Sequence, residues 1–252
     1  MSFVGRPFPL AEADEHFTRL RAWGLTFIRL LITWEAVEHD GPGVYDEKYL
    51  RYLLQLVRKA DEYGIVVFID PHQDVWSRWT GGSGAPAWTL EAAGFDLMTI
   101  EETGAALTHQ HYGDPLPKMI WGTNNWRLAT ATMFTLFFAG NTYAPATAVG
   151  GVPIQDYLQD HYVAAVSRVA AALRDERNVV GFDTLNEPNA GWVGREDLNS
   201  RTDGLSFRWG WDLSPWEQLR SAAGFGGVPA DVYNPPFMLH ERAVLNPRNL
   251  SA

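Results

Sequence analysis

"VVGFDTLNEP", residues 179–188, is the stretch whose reading decides the fold. Its opening residues are almost continuously apolar and read as a buried strand, yet the run ends in Asn-Glu-Pro. A carboxylate that follows an interior segment is costly unless it has partners or a task. Glu187 is therefore either a turn or capping acid at a strand end, or a catalytic acid at the mouth of a barrel.

Two earlier segments repeat the same grammar of amphipathic helix, short break and compact apolar strand. "LAEADEHFTRLRAWG" (10–24) places Phe17, Leu20 and Trp23 at helical spacing, with Gly24 as a stop, and "LTFIRLLITW" (25–34) follows as a strand. "YDEKYLRYLLQLVRKADEYG" (45–64) gathers Leu50, Leu53, Leu54, Val57 and Ala60 on one face, stops at Gly64, and leads into "IVVFIDPHQD" (65–74). The helical "IQDYLQDHYVAAVSRVAAALRDERN" (154–178) then leads into 179–188. Repeated αβ units with apolar strands predict a parallel sheet covered on both faces.

The sheet is either open and doubly wound or part of a (β/α)₈ barrel. No glycine-rich phosphate loop follows these strands, which weakens a nucleotide-binding sheet. Polar residues gather at each strand's C-terminal end: Arg29 to Glu35, Asp70 to Asp74, then Asn186 and Glu187. That is the TIM-barrel pattern, although open sheets bind ligands at the same edge. The residues at 75–153 are too many for a routine connection. Their glycines, prolines and tryptophans read either as a loop with helices over the site or as a subdomain with its own aromatic core. The tail from 191 to 252 is turn-rich, with no clear αβ unit.

Composition narrows the chemistry. The 252 residues are 46% hydrophobic, enough for a sizeable core, and eleven Trp suit either sugar stacking or core filling. A net charge of −10 argues against a nucleic-acid partner. The absence of cysteine excludes disulfides, thiolate catalysis and Cys-based zinc sites. The start "MSFVGRPFPL" lacks signal-peptide character, and the apolar "MFTLFFAG" (133–140) is too short to span a bilayer. A cytoplasmic location is expected, so the sequon Asn249-Leu250-Ser251 carries little weight.

Within the polar strand ends, Glu187 can act as acid or base if a partly desolvated pocket raises its pKa to about 6–7. Asn186 can donate to and accept from a sugar hydroxyl, and Asp74 can accept from two hydroxyls at once. Arg29 can hold a carboxylate ionised or simply pair with an acid on the next strand. His72 can bond a hydroxyl or a neighbouring acid. His72 and Asp74 as metal ligands lack an evident third member. A Ser-His-Asp reading fails because no Gly-X-Ser-X-Gly is present. Together the residues point to glycoside hydrolysis.

"FIRLLITWEAVEHDGPGVYDEKYL" (27–50), "IDPHQDVWSRWTGGSGAPAWTLEAAG" (69–94) and "LNEP" (185–188), in that order, resemble glycoside hydrolase family 5. More narrowly they are similar to its endoglycoceramidase-like branch, which includes steryl β-glucosidases and glucosylceramidases. "KMIW" (118–121), "MFTLFFAG" and "IQDYLQDHYVAA" are also similar to that branch, and the resemblance covers essentially the whole chain. It implies a (β/α)₈ barrel, a retaining mechanism with two glutamates and no metal or organic cofactor. It implies Glu187 as the acid/base, Asn186 on the hydroxyl beside the anomeric carbon, Arg29 and His72 in support, and Asp74 on the glucose ring. The implied substrate is a β-glucoside with a large apolar aglycone, a steryl glucoside or glucosylceramide, with transient membrane-lipid contact and the aromatic residues after Asp74 as a wall for the aglycone. The visible strands are then the barrel's second to fourth and the chain is a fragment, with the nucleophile, from the seventh strand, missing. Neither Glu217 nor Glu241, in turn-rich surroundings, fills that role. The competing expectation is a non-catalytic glucolipid-binding or interaction protein built from a half barrel.

Overall fold

The computed structural model describes residues 6–113, 120–201, 209–233 and 239–252. The first residues 1–5, part of "KMIW" (118–119) and part of the tail (202–208 and 234–238) lie outside the described residues. Along the chain come α1 (Ala13–Ala22), β1 (Phe27–Ile32), α2 (Trp34–Glu38), α3 (Glu47–Glu62), β2 (Val66–Pro71), α4 (Ala87–Ala92), α5 (His109–Tyr112), α6 (Ile120–Thr123) and α7 (Leu128–Tyr143). There follow β3 (Ala148–Val149), β4 (Val152–Pro153), α8 (Ile154–Leu173), β5 (Val179–Phe182), β6 (Gly210–Trp211), α9 (Pro215–Ala222), β7 (Val228–Tyr233) and β8 (Leu239–Leu245).

The chain divides into two compact units. The first contains 6–73, 84–86 and 159–187. Its sheet is parallel in the order β1-β2-β5, with Phe27 opposite Val66 and Phe68 opposite Gly181. Parallel neighbours need crossover connections, and α3 supplies one between β1 and β2. Asp46 caps α3, accepting from the amides of Lys48 (2.8 Å) and Tyr49 (2.9 Å). Leu50, Leu53, Leu56, Val57 and Ala60 form its buried stripe. Gly64 ends the turn at φ 63°, a left-handed conformation that suits glycine. Asn178, just before β5, donates to the carbonyls of Val57 and Ile65 and ties that strand to α3 and β2.

The expected cover on both faces is not met by the outer strands among the described residues. Val67 and Ile69 of β2 are fully buried, but Phe27 of β1 is 59% exposed and Val180 of β5 58%. At Gly181 the strands come close: a Cβ there would lie 3.0 Å from the Phe68 ring. The small residue lets that ring lie across β5.

The second unit contains 74–83, 87–158 and the described residues of 188–252. Its centre is α7, with Leu128, Ala129, Met133, Phe134, Leu136 and Phe137 buried and Phe138 and Tyr143 exposed. Trp76 packs edge-on against the Phe134 and Phe137 rings. The tail differs from its turn-rich reading. It forms an antiparallel sheet in the order β6-β7-β8, with Asp231 paired to Arg242 across β7 and β8 at 3.0 Å. Its helix α9 starts with Ser214 and Glu217 in a reciprocal capping box and Pro215 in the first turn.

Glu101 in this unit accepts from the Thr108 amide (2.7 Å) and hydroxyl (3.0 Å). Burial nevertheless pushes its carboxyl above the ordinary 4.5. The folded chain therefore holds a proton there that the unfolded chain releases at lower pH. The associated stability is complete below 4.5 and is lost as pH rises through the folded value. Glu101→Gln, which keeps an acceptor without the charge, should gain on the native chain in urea midpoint as pH is raised above 4.5. A difference between the two chains that does not change with pH would refute this.

Candidate active site

The polar ends of β1, β2 and β5 meet in the first unit. Asp70, second to last in β2, is fully buried and central. One of its oxygens, Oδ2, takes a guanidinium nitrogen of Arg29 at 2.9 Å and Nδ1 of His72 at 3.0 Å. Its other oxygen, Oδ1, is buried without a hydrogen-bond partner among the described residues. Arg29 reaches on with the same nitrogen to Oδ1 of Asn186 at 2.7 Å. Side chains from within β1, from the end of β2 and from the segment after β5 are thus joined as His72–Asp70–Arg29–Asn186.

Asn186 is buried and largely committed. Its Oδ1 faces Arg29, and its Nδ2 donates to the carbonyl of Gln73 at 3.0 Å. Among the described residues one Nδ2 hydrogen has no protein partner and Oδ1 keeps its second lone pair, so the side chain retains both a donor and an acceptor site. The alternative read for Arg29, an acid on the neighbouring strand, is what the structure contains, and His72 takes a neighbouring acid.

Glu187 stands next along the chain with φ at 39°. A non-glycine residue in this left-handed region costs about 1–3 kcal/mol and needs surroundings that hold it there. Gln73 does so: its buried Nε2 donates to the carbonyls of Asn186 (2.7 Å) and Glu187 (2.9 Å). The Glu187 side chain is exposed among the described residues. Asn186 before it is buried, and the turned backbone at Glu187 leaves the acid exposed.

Further support comes from α8. Tyr162 donates to the carbonyl of Thr184 at 2.6 Å and packs edge-on against Trp34, ring centroids 5.5 Å apart. Burial pushes its phenol up, and the charges of Asp70 and Asp183 push the same way, so it remains a donor across the neutral range. Trp34 donates to the buried Glu38 at 2.6 Å, and Nδ1 of His161 lies 2.9 Å from the same carboxylate.

Asp74 belongs to the second unit. It is half-buried and exchanges two backbone bonds with Ser83, 2.9 and 3.0 Å long. The turn is tight: Val75 and Trp76 have φ of 45° and 78°, and a Cβ on Gly82 would lie 1.9 Å from the Asp74 carbonyl oxygen. Among the described residues no group of three or more His, Asp or Glu is placed to hold a metal ion, so His72 and Asp74 gain no third ligand. Among the same residues no helix is long and apolar enough to cross a membrane. Glu217 has a capping task at Ser214, and Glu241 is an exposed residue of β8.

Sequence reasoning placed Asp70 among the polar strand ends without giving it a role, and it passed over Gln73. The signal for Asp70 was available, because a carboxylate inside an apolar strand one strand away from Arg29 calls for a pairing. Nothing in the sequence pattern distinguishes Gln73 from an ordinary loop amide.

Residues 2–205 match the family Cellulase (glycosyl hydrolase family 5). The chain is 49% identical over 238 residues to a glucosylceramidase of Rhizopus delemar, covering 92% of this chain and 34% of that protein. It is 41% identical over 220 residues to the ergosteryl-beta-glucosidase of Saccharomyces cerevisiae, covering 79% and 29%. The crystal structure of Cryptococcus neoformans sterylglucosidase 1 superposes with a TM-score of 0.87 at 40% identity, covering 95% of this chain and 35% of that one. The chain spans about a third of the length of the curated relatives it matches.

Proposed function

The chain belongs to glycosyl hydrolase family 5, its three parallel strands forming part of a (β/α)₈ barrel, and from that premise we propose that the whole protein is a retaining β-glucosidase for lipid glucosides. One observation carries the reading: His72, Asp70, Arg29 and Asn186 form a continuous bonded chain at the C-terminal ends of neighbouring parallel strands, with Glu187 next in sequence. In a barrel that edge is where substrates are turned over.

In this mechanism Glu187 gives its proton to the glycosidic oxygen as the bond to the anomeric carbon breaks. It then takes a proton from the water that releases the sugar. Asn186 donates its remaining N–H to the hydroxyl beside the anomeric carbon. Arg29 fixes the amide by holding Oδ1 and neutralises Asp70 beneath it, and His72 bonds the same carboxylate oxygen. The family resemblance assigns Asp74 to the glucose ring. The second carboxylate, about 5–5.5 Å away in retaining enzymes, attacks the anomeric carbon. The family resemblance assigns it to the seventh strand.

The relatives' names support a glucosylceramide or a steryl glucoside as substrate. The aromatic residues after Asp74 suit an apolar aglycone, with transient contact with the lipid surface that holds it. Within the second unit, Trp126 and Val193 line a cleft of about 620 Å³ whose wall also includes Pro188.

The test is to incubate the whole protein with ergosteryl β-glucoside and with glucosylceramide and follow the released glucose by proton NMR. The β-anomer should appear first and then mutarotate. Initial release of the α-anomer would exclude a retaining mechanism, and no glucose from either lipid would exclude the reading.

A further inference from the structure

Successive carbonyls of an extended strand point in opposite directions. Those of Asn186 and Glu187 instead converge on one atom, Nε2 of Gln73, at 2.7 and 2.9 Å. That convergence accompanies the left-handed φ of 39° at Glu187. The clamp is reciprocal, because Asn186 Nδ2 donates to the carbonyl of Gln73. Gln73 is only 5% exposed, so water does not readily replace its amide between two carbonyl oxygens.

We propose that Gln73 is a positioning residue: its amide holds the backbone of Glu187 in the turn that aims the acid/base carboxyl at the glycosidic oxygen. The proposal rests on the reading of Glu187 as acid/base. The side-chain chemistry is specific. Nε2 carries two hydrogens, one for each carbonyl, whereas Met offers none and a Glu carboxylate would face both carbonyls with negative charge.

The experiment separates aim from fold by changing the leaving group. A steryl glucoside needs protonation of its leaving oxygen, and a 2,4-dinitrophenyl glucoside does not. kcat/KM reports the steps up to sugar transfer onto the enzyme, and would be measured for the whole protein on both substrates. Gln73→Met should lower kcat/KM on the steryl glucoside by about 10²-fold and on the activated glucoside by less than about fivefold, since a misplacement near 1 Å is enough to remove much of an acid's contribution. Equal losses on both substrates, or no loss, in a variant with native circular dichroism would overturn the proposal.

If Gln73→Met does not fold, Gln73→Glu carries the test through its pH profile. Its steryl-glucoside activity relative to the native protein should rise on acidification, as protonation restores one donor. A ratio independent of pH would overturn the proposal. Glu187→Gln is the reference variant. If it spares both substrates, the acid/base reading fails, and the proposal with it. If it slows the steryl glucoside alone while the Gln73 variants do not, only the positioning role fails.

Discussion

Glu187→Gln in the whole protein is expected to lower kcat on a steryl β-glucoside by about 10³–10⁴-fold, toward the upper end of what a positioned acid contributes. The amide matches the carboxyl in shape but neither gives a proton to the departing sterol oxygen nor takes one from water, so sugar transfer and sugar release both slow. The substitution is structurally mild. The Glu187 carboxylate is exposed and has no hydrogen-bond partner among the described residues, and Gln73 grips its backbone carbonyl, which the change leaves in place. A loss of activity can therefore be assigned to chemistry if the thermal midpoint is unchanged. Retention of native turnover would remove Glu187 from the mechanism.

Arg29→Leu should destabilise the first unit markedly. Arg29 is nearly half exposed, but its partner Asp70 is fully buried with one oxygen already lacking a bond. Without the guanidinium, that carboxylate keeps His72 as its one hydrogen-bond partner among the described residues, and Oδ1 of Asn186 also loses its donor. Breaking a buried pair from one side typically costs 3–5 kcal/mol, and water reaching the exposed side of Arg29 lowers the expectation to about 3 kcal/mol. A urea midpoint within error of the native value would contradict this account. The double variant Arg29→Leu with Asp70→Leu should recover much of the loss, because it leaves no buried charge unpaired.

The parallel core was legible because its signals are local and agree. Apolar runs of strand length follow amphipathic helices that stop at Gly24 and Gly64, and polar residues collect at the same end of each strand. The antiparallel sheet in the tail was not. Pro229 sits within β7, where proline argues against a strand, and β8 is mostly exposed, so neither shows clean alternation. At the site, residue types identified Arg29, His72, Asn186 and Glu187 as polar ends but not their wiring. Asp70 stood among the same polar ends, but its place as the shared partner of Arg29 and His72 follows from the strand register. The role of Gln73 depends on two carbonyls from a segment more than a hundred residues away, which periodicity does not encode.

The left-handed backbone at Glu187 also bears on how this region would respond to selection. Glycine enters that conformation with little penalty, and few other residues do. A library screened only for heat resistance would therefore enrich Gly at position 187 and discard the carboxylate on which turnover depends. Variation there sets durability against activity, and a screen that rewards both should keep the acid and seek its gains elsewhere.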